Sequence, residues 1–346
     1  LAISCKVALG CESQALKSTR NKGTEFSKTS PDYSLLPTEE TDLKNDGFFV
    51  KILDKFKLRY EKEREKVNSF LQKDAKERTK IALNFLLDHA MIIALILAVI
   101  VIAIIRPRFI STASIVNILS LTAARLPIAL GIGGAIVLSG TDISAGRAVG
   151  LTACITASLL QMTGYAGKMF STLPSLPIPL VLFAALAVGA AGGLINGFFV
   201  AKFKLHPFIV TLSTQLILYG AILLYLQIGG NGGQTLSGLD PAYIDFVAGP
   251  LFKIGTITVP RYILYSLIVT VIIWVIWNKT TFGKNMFAVG SNEEAARVSG
   301  VNTTATVVLV FMLAGIMYGV TGFIEAARIG SNSASTGLNY ELDAIA

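Results

Sequence analysis

The sequence predicts an all-α, polytopic bundle of membrane-spanning helices behind a soluble tail. Three observations carry that prediction. Of the 346 residues 53 % are hydrophobic and only 15 % charged, with a mean hydropathy of +0.62, whereas about a quarter of a soluble domain is charged. Apolar runs of spanning length recur between short segments bearing Lys and Arg. The charge is also unevenly divided, with 17 Lys plus Arg and 14 Asp plus Glu in residues 1–88 against 13 and 8 in the remaining 258.

Those features exclude several classes of function. Much of the net charge of +8 lies in loops beside apolar helices, where topology accounts for it, so no nucleic-acid partner is implied. Cys5, Cys11 and Cys154 have no metal spacing and form no disulfide framework. His89 and His206 are the two histidines, which argues against a metal centre or a histidine-activated nucleophile. No G-x-x-x-x-G-K-[ST] loop occurs, so the chain binds no ATP by a P-loop of its own.

Taken in order, the chain begins at leucine rather than methionine, which suggests an unusual start codon or a fragment. Residues 1–47, rich in Ser, Thr, Lys, Glu and Asp, predict a disordered cytoplasmic tail. Residues 48–84 predict a basic amphipathic helical segment. There Phe49, Ile52, Leu53 and Phe56 share one face among Lys51, Lys55, Lys57 and Arg59, for an anionic lipid surface or for the membrane domain itself. Residues 85–346 are the membrane domain.

His89–Ile105 is the first span. Ser114–Gly140 is the second, but it carries Arg125 and Pro127 near its middle; a charge that deep needs a partner and a proline frees a carbonyl, so a broken or reentrant helix is expected. Next comes Gly140–Arg147, polar between apolar neighbours. Asp142 or Ser144 could cap the following helix and Asp142 could neutralise Arg147, or the bend could line a translocation path. Ala148–Met162 is the third span and Ile178–Phe199 the fourth, where Gly189, Gly193 and Gly197 form a strip for close packing and Asn196 is polar. The fifth, Phe208–Ile228, carries Thr211, Thr214 and Gln215, which serve either a polar solute or their own backbone. A glycine-containing outer loop over 229–259 leads to the sixth span, Arg261–Trp277.

Phe282–Val301 is a polar island, which reads as a capped helix of about two turns. Asn292 is a good N-cap, Glu293 and Glu294 put negative charge at the helix start, Arg297 lies in the last turn, and Gly300 closes it. So short a helix is marginal alone, hence either a handle for a partner or a loop docked on its own protein. Thr304–Ile324 completes about seven crossings with the N-terminus inside.

Four blocks in order, GTDISAGRAVGL at 140–151, GLINGFFVAKFKLHPFIVTL at 193–212, WNKTTFGKNMFAVGSNEEAARVSGVN at 277–302 and EAARIGSNSASTGLNYELDAIA at 325–346, resemble the membrane permeases of bacterial sugar ABC importers. The likeness is to the galactose/methyl-galactoside type, with ribose and arabinose permeases as relatives. The resemblance implies that loop 278–303 couples to an ATPase subunit, with Asn292, Glu293, Glu294, Ala295, Ala296 and Arg297 as the handle and Gly300 ending it. It further implies a transport subunit rather than an enzyme, with no cofactor of its own and ATP and Mg used by the partner ATPase. A second permease copy, a periplasmic or surface sugar-binding protein, membrane lipid and the bacterial inner membrane complete the expectation. Asp142, Ser144, Arg147, Asn196, Thr211, Thr214 and Gln215 are candidates for the translocation path. Such permeases have shorter tails and continue past the segment matching Glu341–Ala346, so C-terminal spans are expected to be missing here. The alternatives are a pentose permease, an ion-coupled secondary transporter with Asp142 as its candidate site, and a membrane enzyme, for which no spaced acid, histidine or metal cluster is present.

Overall fold

The computed structural model describes residues 80, 84 and 86–346, apart from 107, 108, 110, 175, 255 and 256. The 1–47 tail and all but two residues of the 48–84 segment lie outside the described residues. Two units divide the chain at 93/94, and the second, 94–346, holds the sites below.

Helix α1 (Ala90–Ile105) is apolar throughout and buries no residue. Helix α2 (Thr112–Val137) starts at Ser111, whose hydroxyl accepts from the Ser114 amide, and runs on unbroken through Pro127. The break expected in the second span is therefore absent, for a local reason. Proline at 127 cannot donate to the Ala123 carbonyl four residues earlier, and the Ser266 hydroxyl from α7 (Tyr262–Lys279) donates to it instead at 2.6 Å. Arg125 finds its polar partners in an ion pair with Asp343 and in the Tyr340 ring, 4.5 Å from the guanidinium carbon.

Residues 138–144 then run without helix into α3 (Ala145–Leu159). Helices α4 (Ile178–Phe203) and α5 (Pro207–Gln227) each carry a proline in the first turn, Pro179 and Pro207, where a missing N–H costs nothing. The loop after α5 is folded: α6 (Pro241–Ala248), capped by Asp240, precedes an antiparallel hairpin of β1 (Pro250–Ile254) and β2 (Ile257–Pro260). Its Leu236, Leu239, Tyr243 and Val247 are core residues, and the Tyr243 hydroxyl donates to the Phe323 carbonyl.

After α7 the island holds two helices. Phe282–Ser291, read as part of one polar stretch, forms α8 (Thr281–Ser291) by burying Gly283, Met286 and Val289. The capped helix itself, α9 (Glu293–Val298), has six residues, close to the two turns expected. Then come α10 (Thr303–Ile329) and α11 (Tyr340–Ile345).

Helix α10 is the axis of the bundle and packs against α4, α3 and α2. In its most apolar stretch 61 % of residues are buried, against 17–44 % for the other four long helices. The predicted glycine strip of α4 is what brings α10 so near. A Cβ at Gly189 would meet the Gly315 carbonyl, one at Gly193 the Phe311 carbonyl, and one at Gly197 would come within 2.8 Å of the Val308 Cα. Backbones in such contact gain dispersion along their whole crossing, which is what drives association where no hydrophobic effect operates. The opposite faces expose Phe183, Leu216, Ile217 and Leu224, each at least two-thirds accessible, a surface suited to lipid. Five described helices, α2, α4, α5, α7 and α10, are long and apolar enough to cross a membrane. At 16 and 15 residues, α1 and α3 reach only about 22–24 Å against a hydrocarbon core of about 30 Å.

Candidate functional site

Four of the predicted path residues meet in one buried polar knot. Asp142 is wholly inaccessible, and its two carboxylate oxygens divide the work. Oδ1 accepts from the Ser144 amide at 3.0 Å and the Ser144 hydroxyl at 2.6 Å, while Oδ2 accepts from the Tyr318 hydroxyl of α10 at 3.0 Å. Asn196 Nδ2 of α4 donates to Ser144 Oγ at 2.9 Å. From α5, Thr211 Oγ1 accepts from the Ile143 amide at 3.2 Å. The bend between α2 and α3 is thereby tied to α4, α5 and α10, with the start of α3 held at a fixed depth in the bundle.

The remaining candidates lie nearby without joining the knot. Arg147 does not neutralise Asp142: its guanidinium donates to the Ala334 carbonyl at 2.9 Å and stacks 4.4 Å from the Tyr219 ring centre. The reason is positional, since Asp142 is already satisfied by hydroxyl and amide donors, while Arg147, in the first turn of α3, meets the Ala334 carbonyl and the Tyr219 ring. Thr214 is buried one turn after Thr211, and Gln215 is half-buried beside it. Tyr318 was missed in the sequence. A tyrosine within the apolar run around Met317 was the available signal, because a buried hydroxyl needs a partner.

A carboxylate that only accepts, flanked by hydroxyls and an amide, positions backbone and offers no nucleophile–base pair. A second buried charge, Glu325 of α10, accepts from Arg328 at 2.7 Å three residues later.

The handle is built by its own end groups. Asn292 Oδ1 accepts from the Ala295 amide at 2.9 Å, while Glu293 and Glu294 occupy the positive first turn. At the other end Gly300, at φ 85°, donates to the Arg297 carbonyl, and Val301 donates to that of Ala296, both at 3.0 Å. This paired closure satisfies the last carbonyls of a helix and needs a left-handed residue, hence glycine. Ala296 is the buried anchor, whereas Glu294, Ala295 and Arg297 are exposed and Val298 is 91 % accessible.

Glu293 joins the handle to the rest of the chain. It accepts from Arg297 at 2.9 Å and from Lys204, the left-handed residue that ends α4. The Lys204 hydrogen bond, helped by Arg297, holds the Glu293 carboxyl below the usual range. Its contribution is present above the ordinary glutamate value of about 4.3 and fades only as pH falls through the lowered one, so the link is intact at neutral pH. Lys204 was legible in the sequence only as a basic loop residue.

Comparison with known proteins follows this geometry. Residues 114–346 match the model of the family described as branched-chain amino acid transport system / permease component. The galactose/methyl galactoside import permease protein MglC of Escherichia coli (strain K12) is 42 % identical over 267 residues, covering 77 % of this chain and 79 % of that protein. MglC of Haemophilus influenzae is 42 % identical over 240 residues, 69 % of this chain and 70 % of its own. The ribose import permease protein RbsC of Escherichia coli (strain K12) is 32 % identical over 263 residues, 76 % of each. No solved structure matches the chain. The helical bundle, the glycine-packed axis and the family match together make this chain a member of the permease-component family, a transport subunit rather than an enzyme.

Proposed function

We propose that this chain is the membrane-spanning permease of an ATP-driven importer that carries a monosaccharide, galactose or a methyl galactoside, across the bacterial inner membrane. The observation that carries the sugar class is the 42 % identity to galactose/methyl galactoside permeases against 32 % to a ribose permease. Exposed Glu294, Arg297 and Val298 on α9 support its reading as the element gripped by an ATPase subunit, which uses ATP and Mg. Lys204 bonds to α9 and Lys284 lies on the preceding α8; the positive-inside rule supports a cytoplasmic side for that end, and a cytoplasmic N-terminus belongs to the same reading. A second copy of the chain, surrounding lipid and an external sugar-binding protein complete the assembly.

The mechanism is alternating access. Closure of the ATPase domains shifts α9 and the bundle changes state, while the loaded binding protein favours the state open to it; each partner acts only through its differential affinity for the two states. None of the named path residues need titrate for this. The test is uptake of labelled galactose and labelled ribose by cells that supply the ATPase and binding protein but lack their own permease. Galactose uptake is expected to exceed ribose uptake and to be lost with Glu293→Lys/Glu294→Lys. Preferential ribose uptake would move the chain to the pentose class, and undiminished galactose uptake by the double variant would remove α9 from its assigned role.

A further inference from the structure

Among the described residues three that are not glycine have positive φ, and two of them, Ser139 at 59° and Lys204 at 54°, border the same cavity beside the handle. That cavity, about 340 Å³, is also lined by Pro207, Asn292 and Glu293. Each strained residue ends a helix: Lys204 closes α4, and Ser139 follows the last turn of α2. Strain of this kind persists where surroundings over-determine it, and it gathers at switch regions.

A continuous line of contacts leads from there to the buried knot. Glu293 of α9 is bonded to Lys204. Three residues on, the Pro207 ring lies so close to Gly140 that a Cβ there would approach its Cγ to 2.8 Å. One turn into α5, Thr211 Oγ1 accepts from the Ile143 amide and lies 3.2 Å from the Thr141 carbonyl oxygen. Between those two residues is Asp142, fixed to Ser144 and to Tyr318. Each link in this line is a direct contact or a step along the chain, and the cavity lies at its handle end.

We propose that the connector 204–207 is the lever that carries displacement of α9 to the start of α3, with Lys204 and Thr211 as positioning residues for coupled transport. The inference rests on the reading of α9 as the ATPase-gripped element. It adds the route by which that grip reaches the membrane interior, through the polar knot instead of through α8 and α10 alone.

The test uses the complete transporter in proteoliposomes, reading sugar moved per ATP hydrolysed together with co-purification of the ATPase. Lys204→Glu, which faces Glu293 with a like charge, is expected to lower the ratio about tenfold, an ordinary size for a coupling free energy, with the ATPase still bound. Lys204→Arg, which keeps the positive charge that faces Glu293, is expected to preserve it. Thr211→Val should lower the ratio and Thr211→Ser should preserve it, and this pair decides the matter if Lys204→Glu does not fold. An unchanged ratio in Lys204→Glu and in Thr211→Val overturns the lever while leaving the reading of α9 intact. ATPase loss in Lys204→Glu also overturns it, because Lys204 would then serve assembly. If Glu293→Lys/Glu294→Lys leaves both co-purification and transport unchanged, the reading of α9 fails and the lever fails with it.

Discussion

Gly193→Val is expected to abolish recovery of folded protein, whereas Gly192→Ala, one residue earlier on the same helix, leaves recovery at the parent level. The two glycines differ in what a side chain would meet. At Gly193 the first atom of any side chain runs into the Phe311 carbonyl oxygen and approaches the Met312 Cα to 3.1 Å, while at Gly192 nothing lies within 4 Å. Because the obstacle is backbone, no rotamer change relieves it, and α4 must move off α10. Overpacking of a flexible core costs about 1–3 kcal/mol, occasionally more; here the loss extends along the crossing, since Gly189 and Gly315 lose contact as well. The check is the monodisperse fraction of detergent-solubilised protein on size exclusion. Equal recovery of the two variants would mean that α4 and α10 do not cross at the glycine strip.

The second large effect is expected at Asp142. Asp142→Leu leaves the Ser144 amide, the Ser144 hydroxyl and the Tyr318 hydroxyl without their acceptor, inside a site that water does not reach. Each orphaned donor costs about 1–3 kcal/mol, and the terms are not additive because the donors share one acceptor. Tyr318→Phe removes a single bond to Oδ2 and is expected to destabilise less. Asp142→Asn, which keeps one acceptor oxygen for Ser144, should fall between the parent and Asp142→Leu. Denaturation of the purified permease in mixed micelles ranks the four proteins. An Asp142→Leu protein as stable as the parent would show that the knot does not hold α3 in place.

These residues also show how far the sequence could be read. Hydropathy located every long helix to within a few residues, and the glycine spacing marked the packing face of α4, because both signals are local and periodic. The partner of that face was not legible, since Gly315 and Gly319 lie more than a hundred residues away in another apolar run. Pro127 is the instructive failure. Its freed carbonyl was correctly anticipated, but the donor that spares the helix, Ser266, belongs to α7 and carries no mark of its own. Charge and nearness in sequence suggest a pair of Asp142 with Arg147, whereas the carboxylate takes two donors from Ser144 beside it and one, which only the fold supplies, from Tyr318 of α10. In the handle the caps at Asn292 and Gly300 were readable because capping chemistry lies within six residues of either end. Lys204 was not, because only the fold brings the end of α4 to α9.

The measurement that tests the account most directly is accumulation of labelled galactose in proteoliposomes holding this chain and its ATPase, with the sugar-binding protein and Mg–ATP each supplied on its proper side. Accumulation is expected to require ATP and the binding protein and to persist when proton and sodium gradients are collapsed. Accumulation driven by an imposed proton or sodium gradient, with neither ATP nor the ATPase present, would contradict it and make the chain an ion-coupled carrier.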